Sequence, residues 1–254
     1  LQPAAPRGAG RRGCPAWGGA TVGALAEWRG RKSGSYDLAH LAWDIERKDV
    51  GVPGGLQDQY SAAFGGFNLI EFKNETEIVV NPLRIEARIL NELAYNMLLV
   101  YTGATRVSAN IIESQMTGLA DEGSDVIRAM TEMKELTTAA KDALLTGRLG
   151  DFADILHREW EAKKRTSSQV SNRHLDEMYE QALGLGARGG KVSGAGGGGF
   201  MFLFCPFDRT PAVSRRLPEL GAEVLPAAFQ PGGTAAWPGA DVGTGARGPT
   251  PGPP

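Results

Sequence analysis

Hydrophobic residues recur with helical spacing through the middle of the chain. Residues 35–47 (SYDLAHLAWDIER) place apolar side chains at positions i, i+3, i+4 and i+7, and Ser35 is the predicted N-cap. The same spacing predicts a long helix from Val126 to Leu144. Two further helices are predicted around Phe152–Trp160 and Leu175–Leu183.

Shorter apolar runs predict β-strands. The segments GGFNLIEF and TEIVV, separated by KNE, are typical of a hairpin. A continuous apolar run predicts a buried strand at Met97–Tyr101, and another predicts a strand at Phe200–Cys205. A short helix near 211–220 and a strand at AEVLP follow. Long helices combined with these strands indicate the α+β class, with helices packed on an antiparallel sheet.

The two ends of the chain lack this patterning. Residues 1–20 are rich in Gly, Arg, Pro and Ala, and more than half of residues 231–254 are Gly or Pro. Such segments bury too little apolar surface to offset the entropy of ordering. We therefore expect 1–20 to be irregular, 231–254 to be a disordered tail, and the foldable region to span about 21–228.

Charge and cysteine content narrow the functional classes. The net charge of −2 provides no basic field for nucleic acid. Cys14 and Cys205 lie far apart in sequence, which favours a reducing, cytoplasmic compartment over a disulfide framework. No run approaches the roughly 18 apolar residues of a membrane span, so we expect no membrane partner. The chain begins with Leu1, and we expect it to be a fragment.

Residues 191–206 (KVSGAGGGGFMFLFCP) form the most unusual stretch. A Walker loop needs Lys and Ser or Thr after the glycines, but Phe200 follows Gly199. A dinucleotide-binding loop leads from a strand into a helix, whereas the order predicted here is helix, Gly-rich turn, strand. Two interpretations stay open: a tight bend beneath a packed helix, or a cradle for phosphate.

A pair of carboxylates favours the phosphate cradle. Asp58 follows a glycine bend in GGLQDQYSAAFGG, twelve residues after Glu46 near the end of helix 35–47. A loop that folds back could bring both carboxylates to one pocket, although a surface position is the alternative for Asp58. Magnesium takes one or two protein carboxylates and completes its shell with phosphate oxygens and water. A second carboxylate can accept a hydroxyl proton.

Three segments resemble the GHMP kinases. KVSGAGGGGF resembles the third motif of that family, GLQDQ resembles the Gly-x-x-Asp-Gln segment of its sugar-kinase branch, and YTGATR also matches. The resemblance covers about residues 21–228 and points to the kinases of heptose 7-phosphate, with fucokinases as near neighbours. It implies a two-domain fold with a truncated N-terminal domain. Residues 21–80 would be the remnant of the ATP-binding domain, and 81–230 the C-terminal domain.

The resemblance also implies residue roles. Asp58 matches the catalytic Asp, Glu46 matches the Mg²⁺-binding Glu, and Gln57 and Arg106 are candidates for substrate binding. The implied nucleotide-binding residues are Gly194, Ala195, Gly196, Gly197 and Gly198. The implied reaction uses ATP and Mg²⁺ to phosphorylate the anomeric hydroxyl of D-glycero-D-manno-heptose 7-phosphate, giving the 1,7-bisphosphate. The expected partner is this small sugar phosphate, and a homo-oligomer is left open.

Two lysines that follow the predicted helix around Phe152–Trp160 are candidates for anion binding. Lys163 and Lys164 could face an anionic substrate, but a solvated helix face is the favoured interpretation. The three histidines lie on predicted helices without metal-ligand spacing, so we interpret them as structural or surface residues.

The N-terminal segment departs from the family pattern. The second motif, Pro-x-x-Gly-Leu-Gly-Ser-Ser-Ser-Ala, should precede ATVGALAEWRG, but PRGAGRRGCPAWGG stands there. We expect residues before about Thr21 to be out of frame or unrelated, and the tail after about 231 to share that origin. Loss of this phosphate loop predicts an impaired kinase. The alternatives are a non-catalytic sugar-phosphate-binding remnant and a fucokinase-like enzyme.

Overall fold

A computed structural model describes residues 15–51, 54–74, 77–103, 108–119 and 124–236, with backbone alone for 15–17 and 108–110. Within these ranges the helices are α1 (Pro15–Trp28), α2 (Ser35–Asp44), α3 (Gln57–Phe64), α4 (Ala87–Asn96), α5 (Ser108–Leu119), α6 (Asp125–Leu145), α7 (Leu149–Lys164), α8 (Arg173–Gly184) and α9 (Thr210–Glu219). The strands are β1 (Asn68–Phe72), β2 (Ile78–Pro82), β3 (Met97–Tyr101), β4 (Gly189–Val192), β5 (Phe200–Phe204) and β6 (Glu223–Pro226).

A four-stranded antiparallel sheet organises the C-terminal part of the chain. Its strand order is β4-β5-β3-β6, and β5 and β3 lie at its centre. Successive side chains of a strand point to opposite faces. Accordingly, Val100 and Met201 join one buried cluster with Met178 of α8, while Met97 and Phe204 join another. Both faces of the sheet are therefore covered by helices, and the predicted α+β class is confirmed.

A smaller unit precedes this sheet. Strands β1 and β2 form an antiparallel hairpin that packs on α2 and α3 through Ala39, Tyr60, Ala63 and Val80. The backbone N–H of Val80 donates to the Tyr36 hydroxyl at 3.0 Å, which ties the hairpin to α2. None of the helices in the described ranges is long and apolar enough to cross a membrane.

Most predicted elements are present, but some details differ. Strand β3 has the predicted bounds, whereas α2 continues beyond Asp44 as a π-helical turn over Ile45–Asp49. The predicted N-cap is wrong, because Gly34 is the cap residue and its N–H donates to Asp37 Oδ2 at 3.1 Å. Helix α4 and strand β4 were not predicted. The apolar run of β3 follows α4 without a break, which hides the helical period.

The ordered structure extends beyond the predicted 21–228 at both ends. Helix α1 begins at Pro15, so the end of segment 1–20 is helical. At the other end, Thr234 N donates to Ala62 O at 3.0 Å, and Gly66 N donates to Gln230 O at 2.9 Å. The first residues after 230 therefore pack against α3.

Asn172 is the N-cap residue of α8, and its substitution tests how much this cap stabilises the protein. Its Oδ1 accepts hydrogen bonds from His174 N at 3.1 Å and Leu175 N at 3.2 Å. Asn172→Ala removes this acceptor and with it both hydrogen bonds, and should lower the free energy of unfolding by about 1 kcal/mol. Urea unfolding measures this loss. Asn91→Ala on the exposed side of α4 is the control and should be neutral or slightly stabilising, because Ala has the higher helix propensity. Equal effects of the two changes would contradict the cap.

Candidate active site

The Gly-rich segment is the loop of a β-hairpin. Strand β4 precedes it and pairs antiparallel with β5, which follows it. The predicted order of helix, turn and strand is therefore wrong, since a four-residue strand intervenes after α8. A dinucleotide-binding loop is still excluded, because this loop leads into a strand and not into a helix.

Contacts with two distant segments hold the loop in place. Thr102, at the end of β3, donates to Gly199 O from its backbone N at 2.9 Å and from its Oγ1 at 3.0 Å. Gly197 N donates to Val170 O at 2.7 Å, just before α8. Thr102 is buried, so this anchor is shielded from water. The loop is consequently fixed against both β3 and the start of α8.

Close packing explains Gly196 of the loop but not Gly194 or Gly199. A Cβ at Gly196 would lie 2.6 Å from Val170 O, and φ there is +110°. At Gly194 an added Cβ would meet nothing within 4 Å, although φ is +70°. Successive backbone N–H groups in such conformations can cradle an anion. Within the described part of the chain, N–H groups lack a protein acceptor at Gly194, Ala195, Gly196, Gly198 and Gly199.

A buried lysine meets the beginning of this loop. Lys163, near the end of α7, is only 7% exposed, and its Nζ donates to Gly194 O. Burial and, to a smaller extent, the charge of Lys191 lower the pKa of Lys163 to about 8, while Glu159 and Asp58 oppose the shift. The favoured interpretation of a solvated Lys163 is therefore wrong. Lys164 is more exposed and pairs with Glu161 at 2.7 Å.

A buried amide connects α3, which carries Asp58, to Glu46. Asp58 lies exposed in the first turn of α3, and Gln59 beside it is only 1% exposed. Gln59 Nε2 donates to Glu46 Oε2 at 2.6 Å, and Arg47 Nη1 donates to Glu46 Oε1 at 3.3 Å. The π-helical turn thus packs against α3, as the folding back of the intervening loop required. Asp58 in turn acts electrostatically on Lys163, the lysine that binds the beginning of the Gly-rich loop.

The residues around Glu46 fit a magnesium site that has few protein ligands. Each carboxylate oxygen accepts one hydrogen bond, which leaves lone pairs for a cation. Gln59 Oε1 is buried nearby without a hydrogen-bond partner. Among the described residues there is no cluster of three His, Cys, Asp or Glu side chains that could hold a metal. A single carboxylate suits Mg²⁺, which binds mainly through phosphate oxygens and water.

Comparison with known families agrees with this arrangement. The model of the GHMP kinase N-terminal domain matches residues 5–66, and that of the GHMP kinase C-terminal domain matches residues 140–223. The chain belongs to the GHMP kinases. The N-terminal match includes residues 5–20, which disagrees with the expectation that this segment is unrelated to the family.

The individual relatives of the chain include kinases that are named for heptose phosphates and for galactose. It is 43% identical to D-glycero-alpha-D-manno-heptose 7-phosphate kinase of Campylobacter jejuni, over 78% of this chain and 58% of that protein. A crystal structure of a D-glycero-D-manno-heptose 1-phosphate kinase from Bacteroides thetaiotaomicron has 35% identity and a TM-score of 0.67, covering 90% of this chain and 63% of that one. Lactococcus lactis galactokinase, 18% identical with a TM-score of 0.68 over 90% of this chain and 68% of that one, shares the fold. The chain thus spans about three fifths of the heptose-phosphate kinases it matches.

Two residues of this GHMP kinase, Gln57 and Arg106, were predicted to bind the substrate. Gln57 is the first residue of α3 and is exposed beside Asp58. Arg106 lies in 104–107, outside the described residues, so its role stays a prediction. Gln59 was missed as a functional residue, although its position next to Asp58 in GLQDQ was a usable signal.

In this GHMP kinase, side chains of α7 and α8 form hydrogen bonds with residues of β4. Lys191 donates to Glu159 of α7. Tyr179 OH donates to Gly190 O at 3.2 Å and lies 2.9 Å from His157 Nδ1. Burial raises the pKa of Tyr179, so the phenol stays protonated. These contacts fix β4 between α7 and α8, and His157 is structural as expected.

Proposed function

We propose that this chain transfers the γ-phosphate of ATP to a hydroxyl group of a heptose phosphate. The observation that carries the proposal is that Asp58, which directly precedes the residue hydrogen-bonded to Glu46, acts electrostatically on the lysine that binds the Gly-rich loop. Phosphoryl transfer depends on positioning and on stabilising the charge of the phosphates. A carboxylate next to an anion cradle supplies both a proton acceptor and a site for the phosphates.

In this proposal Asp58 orients the acceptor hydroxyl and accepts its proton. The hydroxyl oxygen forms a bond to the γ-phosphorus while the bond from that phosphorus to the β,γ-bridging oxygen breaks, and ADP leaves. The exposed position of Asp58 at the start of α3 allows a sugar hydroxyl to reach it. The free N–H groups of the loop that begins at Gly194 hold phosphate oxygens.

Glu46 holds Mg²⁺ in this proposal, and the bound ion supplies charge neutralisation for the phosphates. Gln59 fixes the Glu46 carboxylate through its 2.6 Å hydrogen bond, and Arg47 fixes the other oxygen. Ligands oriented in this way lose less entropy when they bind a cation.

The proposed acceptor is D-glycero-D-manno-heptose 7-phosphate, phosphorylated at its anomeric hydroxyl. The Campylobacter jejuni and Bacteroides thetaiotaomicron relatives differ in the position of the phosphate, since one is named for a heptose 7-phosphate and the other for a heptose 1-phosphate. Their common feature is a heptose that already carries a phosphate. The two names therefore agree on the class of acceptor and differ in the position of the phosphate.

A panel of acceptors tests this function. The purified chain is supplied with ATP and MgCl₂ and, in separate reactions, with heptose 7-phosphate, heptose 1-phosphate, galactose or fucose. We expect ADP release to require a heptose phosphate, and ³¹P NMR to detect the new phosphate ester. ADP release with fucose or galactose alone would contradict the proposed acceptor. Binding of heptose phosphate without ADP release would indicate the non-catalytic alternative.

Glu46→Gln tests the proposed metal ligand. The amide keeps the size of the side chain but removes its charge, so the Mg²⁺ concentration for half-maximal turnover should rise about tenfold or more. Turnover is measured against MgCl₂ at constant ATP. Asp49→Asn, which removes an exposed carboxylate from the same π-helical turn, is the matched control and should leave the Mg²⁺ dependence unchanged. A Glu46→Gln variant that behaves like the control would exclude Glu46 as the ligand.

A further inference from the structure

Lys163 is an unusual cation in the described part of the molecule. It is 93% buried, yet no carboxylate of the described residues forms an ion pair with it. Its protein hydrogen bond goes to a neutral acceptor, the carbonyl oxygen of Gly194. Burying a charge is costly unless an opposite charge compensates it. A buried ammonium without a carboxylate partner therefore indicates an anionic ligand.

The neighbouring charges leave Lys163 without a carboxylate. Glu159 lies one helical turn before it on α7 but pairs with Lys191 of β4. Lys164, the next residue, pairs with Glu161 at 2.7 Å and lies 4.0 Å from Asp176. Of these three lysines, only Lys163 has no ion pair within the described ranges.

The direction of the Lys163 amine identifies the place of the anion. One donor is directed to Gly194 O at the beginning of the Gly-rich loop, and two donors of the ammonium are left. Next to this point the loop carries backbone N–H groups without protein acceptors, at Gly194, Ala195 and Gly196. Asp58 is close enough to act on Lys163 electrostatically. Ammonium and amide donors thus occur together at the beginning of the loop, within electrostatic reach of Asp58.

We propose that Lys163 is a phosphate-binding residue, which holds the Gly-rich loop through Gly194 O and neutralises a phosphate group between that loop and Asp58. The proposal rests on the kinase function for the source of the phosphate, which is either the nucleotide or the sugar phosphate. In both cases the ligand is a phosphate, and binding measurements with each ligand separate the two sources.

Phosphate binding by Lys163 should depend on pH, because the side chain must be protonated to carry its charge. The pKa of Lys163 is lowered to about 8, by burial first and by Lys191 second, with Glu159 and Asp58 acting in the opposite direction. The amine is charged below that pH and neutral above it. Phosphate affinity should therefore fall as the pH rises through about 8, whereas a site built only from backbone N–H groups would show no such fall.

Calorimetric titration of the full chain tests the proposal with two ligands, a non-hydrolysable ATP analogue with Mg²⁺ and heptose 7-phosphate. Lys163→Met should weaken binding of at least one of them about tenfold or more below pH 8 and should abolish the fall above it. Lys164→Met is the matched control, because it removes an adjacent, paired lysine. Weaker binding of the ATP analogue assigns the phosphate to the nucleotide, and weaker binding of the sugar phosphate assigns it to the acceptor.

Two further variants keep the test decisive if Lys163→Met misfolds. Lys163→Arg retains a charge at high pH, so binding should persist above pH 8. Lys191→Met removes the cation that lowers the pKa of Lys163, so the fall in affinity should move to higher pH. Unchanged affinity for both ligands in the Lys163 variants, or no binding of either ligand by the unaltered chain, would overturn the proposal.

The same measurements distinguish this inference from the proposed function. Loss of phosphate binding in Lys163→Met, in a chain that phosphorylates no acceptor, contradicts the kinase function and supports the role of Lys163. Normal turnover and an unaltered pH profile in Lys163→Met contradict the role of Lys163 and leave the kinase function standing.

Discussion

Replacing Asp58 with Asn should lower kcat for phosphoryl transfer by about 10²- to 10⁴-fold, the usual contribution of a general base. The amide keeps the size and the position of the side chain at the start of α3 but cannot accept the hydroxyl proton. Nucleotide affinity should change little, because the Gly-rich loop and Glu46 are unaltered. Steady-state kinetics with the preferred heptose phosphate measures kcat, and calorimetry with an ATP analogue measures affinity.

Asp37→Asn is the matched control for this prediction. It makes the same chemical change in the first turn of the neighbouring helix α2, where Asp37 accepts a hydrogen bond from Gly34 N. It should reduce stability slightly and leave kcat unchanged. If Asp58→Asn retained the kcat of the unaltered chain, Asp58 would not be the proton acceptor.

The largest loss of stability is expected for Gly189→Ala. A Cβ at Gly189, the first residue of β4, would lie 2.0 Å from the backbone oxygen of Ala153 in α7. Because the obstructing atom belongs to the backbone, β4 and α7 must separate. We expect the free energy of unfolding to fall by about 3 kcal/mol, at the upper end of overpacking effects. Chemical denaturation followed by circular dichroism measures this change.

Gly184→Ala is the control for this steric argument. Gly184 ends α8, is exposed, and an added Cβ would meet nothing within 4 Å. Alanine is the better helix former, so stability should be unchanged or rise by up to about 1 kcal/mol. A Gly189→Ala variant as stable as Gly184→Ala would show that β4 does not pack on α7 at this distance. The displacement of β4 should also weaken phosphate binding, since the Gly-rich loop continues directly from this strand.

The spacing of apolar residues along the chain correctly predicted those helices and strands whose buried face is visible in their own sequence. Strand β3 has the bounds expected from its continuous apolar run, and α6 covers the predicted apolar positions. Strand β4 could not be recognised, because two of its four residues are glycines that permit close approach to α7 and β5. Helix α4 was missed because its amphipathic pattern runs directly into the apolar strand that follows.

Short motifs along the chain were enough to identify the family and the candidate residues Asp58, Glu46 and the Gly-rich loop, because the spacing of these motifs is visible in the sequence. The contacts that position Glu46 and the Gly-rich loop follow only from the three-dimensional structure. Gln59 reaches Glu46 across 13 positions, and Lys163 reaches Gly194 across 31. Periodicity reports which face of an element is buried and not which distant backbone it meets. A lysine that looks solvated in sequence could therefore be identified as a buried cation only after α7 and the β4–β5 hairpin had been placed side by side.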